Sequence, residues 1–148
     1  MTMLALTLLA PLLAGIAVLA LRRAPEALAG VGLGFLAAMA VLAGAIAGNA
    51  VQMVLPGLPQ MPLRLVATPL TAVVSAMVAT VAAFVVVYAV GYMRSDPERP
   101  RFFGILLLFV AAMQALVLAG DWITVLAAWE LIGFSSYLLI GFWHARAG

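Results

Sequence analysis

Long apolar runs separated by short polar breaks dominate the pattern of hydrophobic and polar positions along this chain. A bilayer core of about 30 Å is crossed by about 20 residues of α-helix. Runs of roughly this length predict five transmembrane helices, at residues 3–21, 27–48, 69–91, 102–119 and 122–143. The predicted fold class is therefore all-α integral membrane, with residues 1–148 forming a single transmembrane domain.

One break between the apolar runs is long enough to form structure of its own. It spans residues 51–67, where Pro56, Pro59 and Pro62 rule out a regular helix. Residues 63–66 alternate weakly between inward and outward character, as a short strand does. We expect an extended or hairpin excursion between the second and third helices.

The composition agrees with a membrane protein and excludes several kinds of site. The chain is 68% hydrophobic and 8% charged, which leaves too little polar surface to cover a soluble globule. It has no cysteine, so disulfides, thiolate metal sites and iron–sulfur ligation are excluded in this chain. We expect no metal and no cofactor to be bound here, and any redox chemistry must belong to another polypeptide.

Local signals mark two helix starts and one packing face. Thr68 before Pro69, and Asp121 before Trp122, have the side chains and positions of N-cap residues. The second helix also carries small residues at four- or six-residue intervals, which suit close helix contact in lipid. They are Gly30, Gly34, Ala40, Gly44 and Gly48.

The distribution of arginine predicts the orientation of the chain. One side of the membrane receives only Arg64, and the other receives the remaining six arginines, Arg22, Arg23, Arg94, Arg99, Arg101 and Arg146. The positive-inside rule then places the amino terminus outside and the carboxyl terminus in the cytoplasm. Because these arginines lie beside apolar runs, they indicate a membrane surface and not nucleic acid as the partner.

Glu130 is the one acidic residue deep within a predicted helix. Trp122 and Trp143 are 21 residues apart, about 31 Å at helical rise, which fits the two interfacial belts of aromatic residues. Glu130 lies eight residues from Trp122, about 12 Å into the hydrocarbon. A charged group near a helix centre costs on the order of 3 kcal/mol, so such residues usually face a protein interior, a water cavity or a partner.

The depth of Glu130 suggests proton transfer. Burial disfavours the ionised carboxylate, which brings proton uptake and release closer to neutral pH. The alternative is a protonated Glu130 that only hydrogen-bonds a neighbouring helix. The chain has no lysine, its arginines lie at helix ends, and His144 lies at the membrane boundary. The polar candidates within the helices are Ser75, Thr80, Tyr88, Gln114, Ser135, Ser136 and Tyr137.

Three motifs resemble a known family. They are residues 88–93 (YAVGYM), 101–103 (RFF) and 129–143 (WELIGFSSYLLIGFW). This pattern is similar to the antiporter-like membrane subunits of respiratory complex I, namely bacterial NADH–quinone oxidoreductase subunit L and mitochondrial subunit 5. The related membrane subunits of Mrp sodium/proton antiporters are close behind. The resemblance covers residues 68–143 well and the first two helices in pattern only.

The resemblance implies a proton-translocating subunit with Glu130 on the conduction path, working against a lysine on a later helix. Subunits of this family have well over ten helices, so we expect this chain to be an amino-terminal portion or a split piece. The family usually has Asp-Pro-Leu-Ser before the third helix. This chain has Thr68-Pro69-Leu70-Thr71 there, which keeps the cap and loses the charge.

The resemblance also implies partners and leaves alternatives open. We expect other membrane subunits of a multisubunit complex, the bilayer, and protons or Na⁺, in a bacterial inner membrane. An alternative is a piece of an Mrp-type Na⁺/H⁺ antiporter or of a membrane hydrogenase. Further alternatives are a small homodimeric proton-coupled exporter and a non-conducting assembly piece. Whether the chain is part of an enzyme therefore depends on the complex, which for the main interpretation is an NADH:quinone oxidoreductase that translocates protons.

The predicted orientation is testable because the chain is free of cysteine. In intact cells, a membrane-impermeant thiol reagent should label the Gln60→Cys variant, since residues 51–67 are predicted outside. The Ser95→Cys variant should stay unlabelled until the cells are opened, because residues 94–101 are predicted in the cytoplasm. Labelling of Ser95→Cys from outside, with Gln60→Cys protected, would overturn this topology.

Overall fold

Five α-helices and one β-hairpin follow the predicted order along the chain. The computed structural model describes residues 2–21, 25–48, 51–58 and 61–146. The elements are α1 (Thr2–Leu21), α2 (Pro25–Ile46), β1 (Val51–Leu58), β2 (Met61–Ala67), α3 (Pro69–Tyr92), α4 (Arg99–Val117) and α5 (Trp122–Ile140). A 3-10 turn, Gly141–Arg146, follows α5. The predicted all-α architecture with a hairpin between the second and third helices is confirmed.

Four described stretches are long and apolar enough to cross a bilayer. They are Met3–Leu21, Pro69–Tyr92, Arg99–Val117 and Trp122–His144. The described apolar part of α2, Val31–Ile46, is shorter, so its role as a fifth span stays a prediction. Arg22 and Arg23, which weigh in the predicted orientation, lie outside the described residues, and the orientation also stays a prediction.

Helix boundaries differ from the predicted ones where capping or pairing intervenes. The helix α4 begins at Arg99, before the predicted residue 102, because Pro100 is tolerated within a first turn. It ends at Val117 because the backbone that follows turns to pair with β2. At the end of α2, Gly48 takes a left-handed φ of 85°, a conformation common just beyond a helix end.

The hairpin is antiparallel, with Val51 opposite Ala67 and Met53 opposite Leu65. Its register shifts between Leu55 and Leu58, around Pro56, which has no N–H for the ladder. Met53, Leu65 and Ala67 are buried and pack with Leu4 of α1 and Leu118. The hairpin is therefore part of the hydrophobic core and lies against one end of the helical bundle.

The helix α4 is the centre of the bundle, since it contacts α1, α2, α3 and α5. One core cluster lies at the hairpin end of the bundle and includes Leu4, Met53, Leu65, Ala111 and Leu118. A second cluster gathers around Phe103, Val18, Val86, Met93 and Phe142. The helix α5 packs mainly on α4 and touches β2, so it lies at the edge of the described bundle.

Close backbone approach occurs where α1 crosses α4. A Cβ atom added to Gly15 would lie 3.1 Å from the carbonyl oxygen of Gly104 and 3.1 Å from Cβ of Leu107. On α2, the predicted small-residue face is only partly used. Gly34 approaches Pro11, whereas a Cβ atom on Gly44 would meet nothing within 4 Å among the described residues.

The Gly15→Ala variant tests the α1–α4 contact. The added methyl group meets the backbone of α4, which cannot yield without moving the helix, so we expect a stability loss of about 1–3 kcal/mol. Thermal unfolding in detergent, followed by circular dichroism, measures it. The matched control is Gly44→Ala, which has open space around it and should be neutral or slightly stabilising. Equal stability of the two variants would contradict the packing.

Candidate functional site

The candidate site is built on α5, whose start is fixed by Asp121. Its backbone is extended, and its carboxylate oxygen Oδ1 accepts a hydrogen bond of 2.8 Å from the amide of Thr124. The other oxygen, Oδ2, accepts a bond of 3.0 Å from the Thr124 hydroxyl. The predicted N-cap is confirmed. The predicted cap at Thr68 is also confirmed, as a capping box with Thr71.

The same carboxylate ties α5 to the hairpin. The backbone amide of Arg64 donates to Oδ2 of Asp121 at 2.9 Å and to the Thr124 hydroxyl at 3.0 Å. Beside it, the Val66 amide donates to the Leu118 carbonyl and the Gly120 amide to the Arg64 carbonyl, both at 2.7 Å. The segment between α4 and α5 thus pairs with the free edge of β2 like a third strand.

These bonds also set the charge of Asp121, which lies just before the membrane-spanning part of α5. Hydrogen bonds lower the pKa of its carboxyl below the ordinary value, and the largest contribution comes from the Thr124 amide. The Thr124 hydroxyl and the Arg64 amide act in the same direction, while partial desolvation opposes them. The carboxylate is therefore held ionised where it caps the helix and binds the hairpin.

The helix α5 has one face against the bundle and one face open. Thr124, Ala128 and Ser135 are buried on the inner face. Glu130 is exposed on the opposite face. Among the described residues it has no hydrogen bond and no ion pair. The structure therefore places Glu130 at the outer surface of the described bundle and not between its helices.

The neighbours of Glu130 on this open face are apolar and aromatic. Leu126 and Phe134 lie one turn to either side, and Tyr137 lies about two turns beyond at helical periodicity. Their side chains are 62%, 61% and 73% exposed, respectively. A carboxyl group at the centre of an uncovered apolar face is the geometry of an incomplete site, because every other side chain there is compatible with lipid and this one is not.

The predicted polar candidates are mostly satisfied elsewhere. Ser75 and Gln114 bind each other in the bundle interior. The hydroxyl of Thr80 donates to the Ala76 carbonyl, and that of Ser135 to the Leu131 carbonyl. Of these candidates, Tyr137 shares the face of Glu130. The structure therefore does not bring a second carboxyl or basic group to Glu130 from this set.

The chemistry available at this site is that of a single carboxyl group. Within the described part of the chain, no group of three or more histidine or acidic side chains is placed to hold a metal ion. A lone carboxyl group can take up a proton, pass it on, or attract a cation brought by another element. Proton transfer is the simplest use of this geometry.

Two features of the site carry no signal in the local sequence. Asp121 is predicted as a cap, but its second role as an acceptor for the hairpin is not, because a contact across 57 residues leaves no local pattern. The Ser75–Gln114 pair was missed for the same reason. The one available signal was the polar character of Gln114 inside an apolar run, since a buried amide needs a partner.

Comparison with known proteins bears on the family resemblance. Residues 57–103, from the hairpin to the first turn of α4, match the family model described as NADH-ubiquinone oxidoreductase (complex I), chain 5 N-terminus. The resemblance is confirmed. The match ends before α5 begins, so it does not include Glu130.

Individual relatives agree with the family model. NADH-quinone oxidoreductase subunit L of Mycobacterium tuberculosis is 48% identical over 64 residues, which are 43% of this chain and 10% of the relative. NADH-ubiquinone oxidoreductase chain 5 of Debaryomyces hansenii is 47% identical over 62 residues, 42% of this chain and 10% of the relative. F(420)H(2) dehydrogenase subunit L of Methanosarcina mazei is 41% identical over 78 residues, 53% of this chain and 12% of the relative. The chain thus matches about a tenth of the length of these relatives.

The Asp121→Asn variant tests the tie between α5 and the hairpin. Because folding lowers the pKa of Asp121, the carboxylate stabilises the fold above its unfolded pKa of about 3.9, and this contribution is lost as the pH falls through the folded value. Asparagine keeps an N-cap oxygen but carries no charge. We expect the thermal midpoint of the variant in detergent to fall less than that of the wild type below about pH 4.

The control for the loss of one negative charge is Glu98→Gln, at the start of α4. Its acid response should resemble that of the wild type more closely than that of Asp121→Asn, because the Glu98 side chain makes no cap hydrogen bond. Parallel curves for the wild type and Asp121→Asn would show that the carboxylate does not couple the hairpin to α5.

Proposed function

We propose that this chain is the amino-terminal portion, or a split piece, of a proton-translocating membrane subunit in a redox-driven pump of the NADH–quinone oxidoreductase type. The observation that carries the proposal is Glu130, a carboxyl group on the open apolar face of a spanning helix. Such a group is retained in a membrane when it has a partner or a task. Proton transfer supplies both.

The relatives support a redox-linked assembly over the alternatives. The proteins matched by this chain are named as subunits of NADH-quinone oxidoreductase, NADH-ubiquinone oxidoreductase and F(420)H(2) dehydrogenase. Those names favour a subunit of an electron-transferring complex over a piece of an Mrp-type antiporter. Other membrane subunits are the expected partners, and the redox centres belong to them.

In the proposed mechanism Glu130 takes up a proton, holds it in the low-dielectric interior and releases it to the next group. The ionised form is stabilised by a cation brought against the open face of α5 by a later helix or by a different subunit. Among the described residues, the cationic side chains Arg64, Arg94, Arg99, Arg101 and His144 all lie outside the spanning core of the helices. The partner of Glu130 is therefore supplied from beyond them, and the resemblance suggests a lysine.

The proposed setting is a bacterial inner membrane, with the amino terminus outside and the carboxyl terminus in the cytoplasm. The contact between the hairpin and the α4–α5 connection supports the alternation of loops on which this orientation rests. Both segments lie at the same end of the bundle, opposite the arginine-rich connection between α3 and α4. Protons are the proposed ion, with Na⁺ as the alternative.

The variant Glu130→Gln tests the proposal in the assembled complex. Glutamine keeps the shape and hydrogen-bonding capacity of the side chain but cannot exchange a proton, so the complex should still assemble. Proton translocation into membrane vesicles should fall by about 10²-fold, the lower end of what a positioned acid or base contributes. The Glu130→Asp variant should retain more activity than Glu130→Gln.

The matched control is Glu98→Gln, which removes a carboxyl group outside the spans and should leave translocation unchanged. Normal pumping by Glu130→Gln would return the residue to a purely structural role. A second arm places the purified 148-residue chain alone in liposomes and applies a pH jump. We expect no Glu130-dependent flux there, because the carboxyl group lacks its cation; flux would favour the small homodimeric exporter instead.

A further inference from the structure

A proline inside α1 leaves a backbone carbonyl without its usual partner in the bundle interior. Pro11 has no N–H, so the carbonyl of Thr7, four residues earlier, loses its α-helical donor. Thr7 is only 1% exposed. In the interior of a membrane protein, an unsatisfied carbonyl costs several kcal/mol, and neighbouring groups or ordered water usually satisfy it.

The side-chain amide of Gln114 approaches the same region from α4. Gln114 is also 1% exposed, and its two hydrogen bonds go to Ser75 of α3. The Ser75 hydroxyl donates to Oε1 at 2.6 Å, and Nε2 donates to the Ser75 carbonyl at 3.0 Å. Because that carbonyl only accepts, the amide orientation is fixed, and the pair with Ser75 uses one of the two N–H groups of Nε2.

A small cavity separates these groups. Its volume is about 10 Å³, and its polar lining is Thr7 and Gln114. Pro11 and Gly34 line it as well, and a Cβ atom on Gly34 would lie 3.9 Å from the Thr7 carbonyl oxygen. The rest of the lining is apolar: Val31, Phe35, Ala79, Ala82 and Val110.

The size and lining of the cavity select its occupant. A volume of about 10–15 Å³ holds one water molecule, provided that at least two polar groups face it. The described residues that line the cavity include no carboxylate, so a metal cation would bring an uncompensated charge into the membrane interior. A neutral molecule with both a donor and an acceptor function fits the two polar groups that converge there.

We propose that one water molecule binds in this cavity, where it accepts a hydrogen bond from Nε2 of Gln114 and donates one to the carbonyl of Thr7. The Thr7 hydroxyl, whose hydrogen is donated to the Leu4 carbonyl at 2.7 Å, offers a further acceptor. The water links α1 to α4 and, through Gln114 and Ser75, to α3. This site is independent of Glu130 and of the proposed proton transfer.

The test detects water at the Gln114 side chain in the purified 148-residue chain, labelled with ¹⁵N and placed in lipid nanodiscs. Water-to-amide magnetisation transfer should give a signal at the Gln114 side-chain amide protons, assigned by its disappearance in Gln114→Met. The Gly34→Ala variant places a methyl group 3.3 Å from Cδ of Pro11 and 3.9 Å from the Thr7 carbonyl oxygen. We expect the water signal to be lost in this variant.

The matched control is Gly32→Ala, on the same helix, where a Cβ atom meets nothing within 4 Å among the described residues. Its water signal should equal that of the wild type. If Gly34→Ala does not fold, Pro11→Ala replaces it, because a restored N–H gives the Thr7 carbonyl its helical donor and weakens the hold on the water.

Absence of the signal in the wild type, or its persistence in both cavity variants, would overturn the proposal. The spectra are also recorded in NaCl and in choline chloride. Equal Gln114 side-chain resonances in the two salts are expected. A shift specific to Na⁺ would assign the cavity to a cation instead of water.

Discussion

The absence of water from the hydrocarbon core is the constraint on which this structure depends. Every polar backbone group at membrane depth has to find a partner within the protein. The ladder of each helix meets that demand along most of its length, and exceptions occur where a side chain interrupts the ladder. Pro11 is such an interruption, and the polar side chains of the bundle interior gather beside it: Thr7 on the same helix and Gln114, with Ser75, across from it.

The hairpin obeys the same demand at the end of the bundle. The exposed edge of β2 presents unpaired amides and carbonyls, and the segment between α4 and α5 covers it through the Val66 and Gly120 hydrogen bonds. A side chain on Gly120 would collide with Val66, since its Cβ would lie 2.6 Å from Cγ2 of that residue. This pairing ends α4, and the cap at Asp121 begins α5. The position of Glu130 thus depends on backbone pairing about three helical turns away.

The sequence determined the elements better than their contacts. Apolar run length, the prolines of residues 51–67 and the caps at Thr68 and Asp121 are local signals, and they led to the right helices, hairpin and helix starts. Contacts between distant segments left no such signal. The small-residue pattern of α2 suggested a continuous packing face, yet Gly34 meets Pro11 while Gly44 meets nothing among the described residues. For Glu130, counting residues from Trp122 indicated depth, whereas the outward direction of the side chain needed the structure.

The open face of α5 has an unusual energetic character. Lipid tails are as apolar as leucine, so Leu126 and Phe134 gain little from being covered by another helix. Glu130 gains a great deal, because its ionised form is costly without a partner. The preference of this face for one neighbour over another therefore comes mainly from the carboxyl group and less from the apolar surface around it. A helix that brings a cation to the level of Glu130 would be selected over an apolar helix of better shape. The residue proposed to move the proton is then also the residue that recruits its partner.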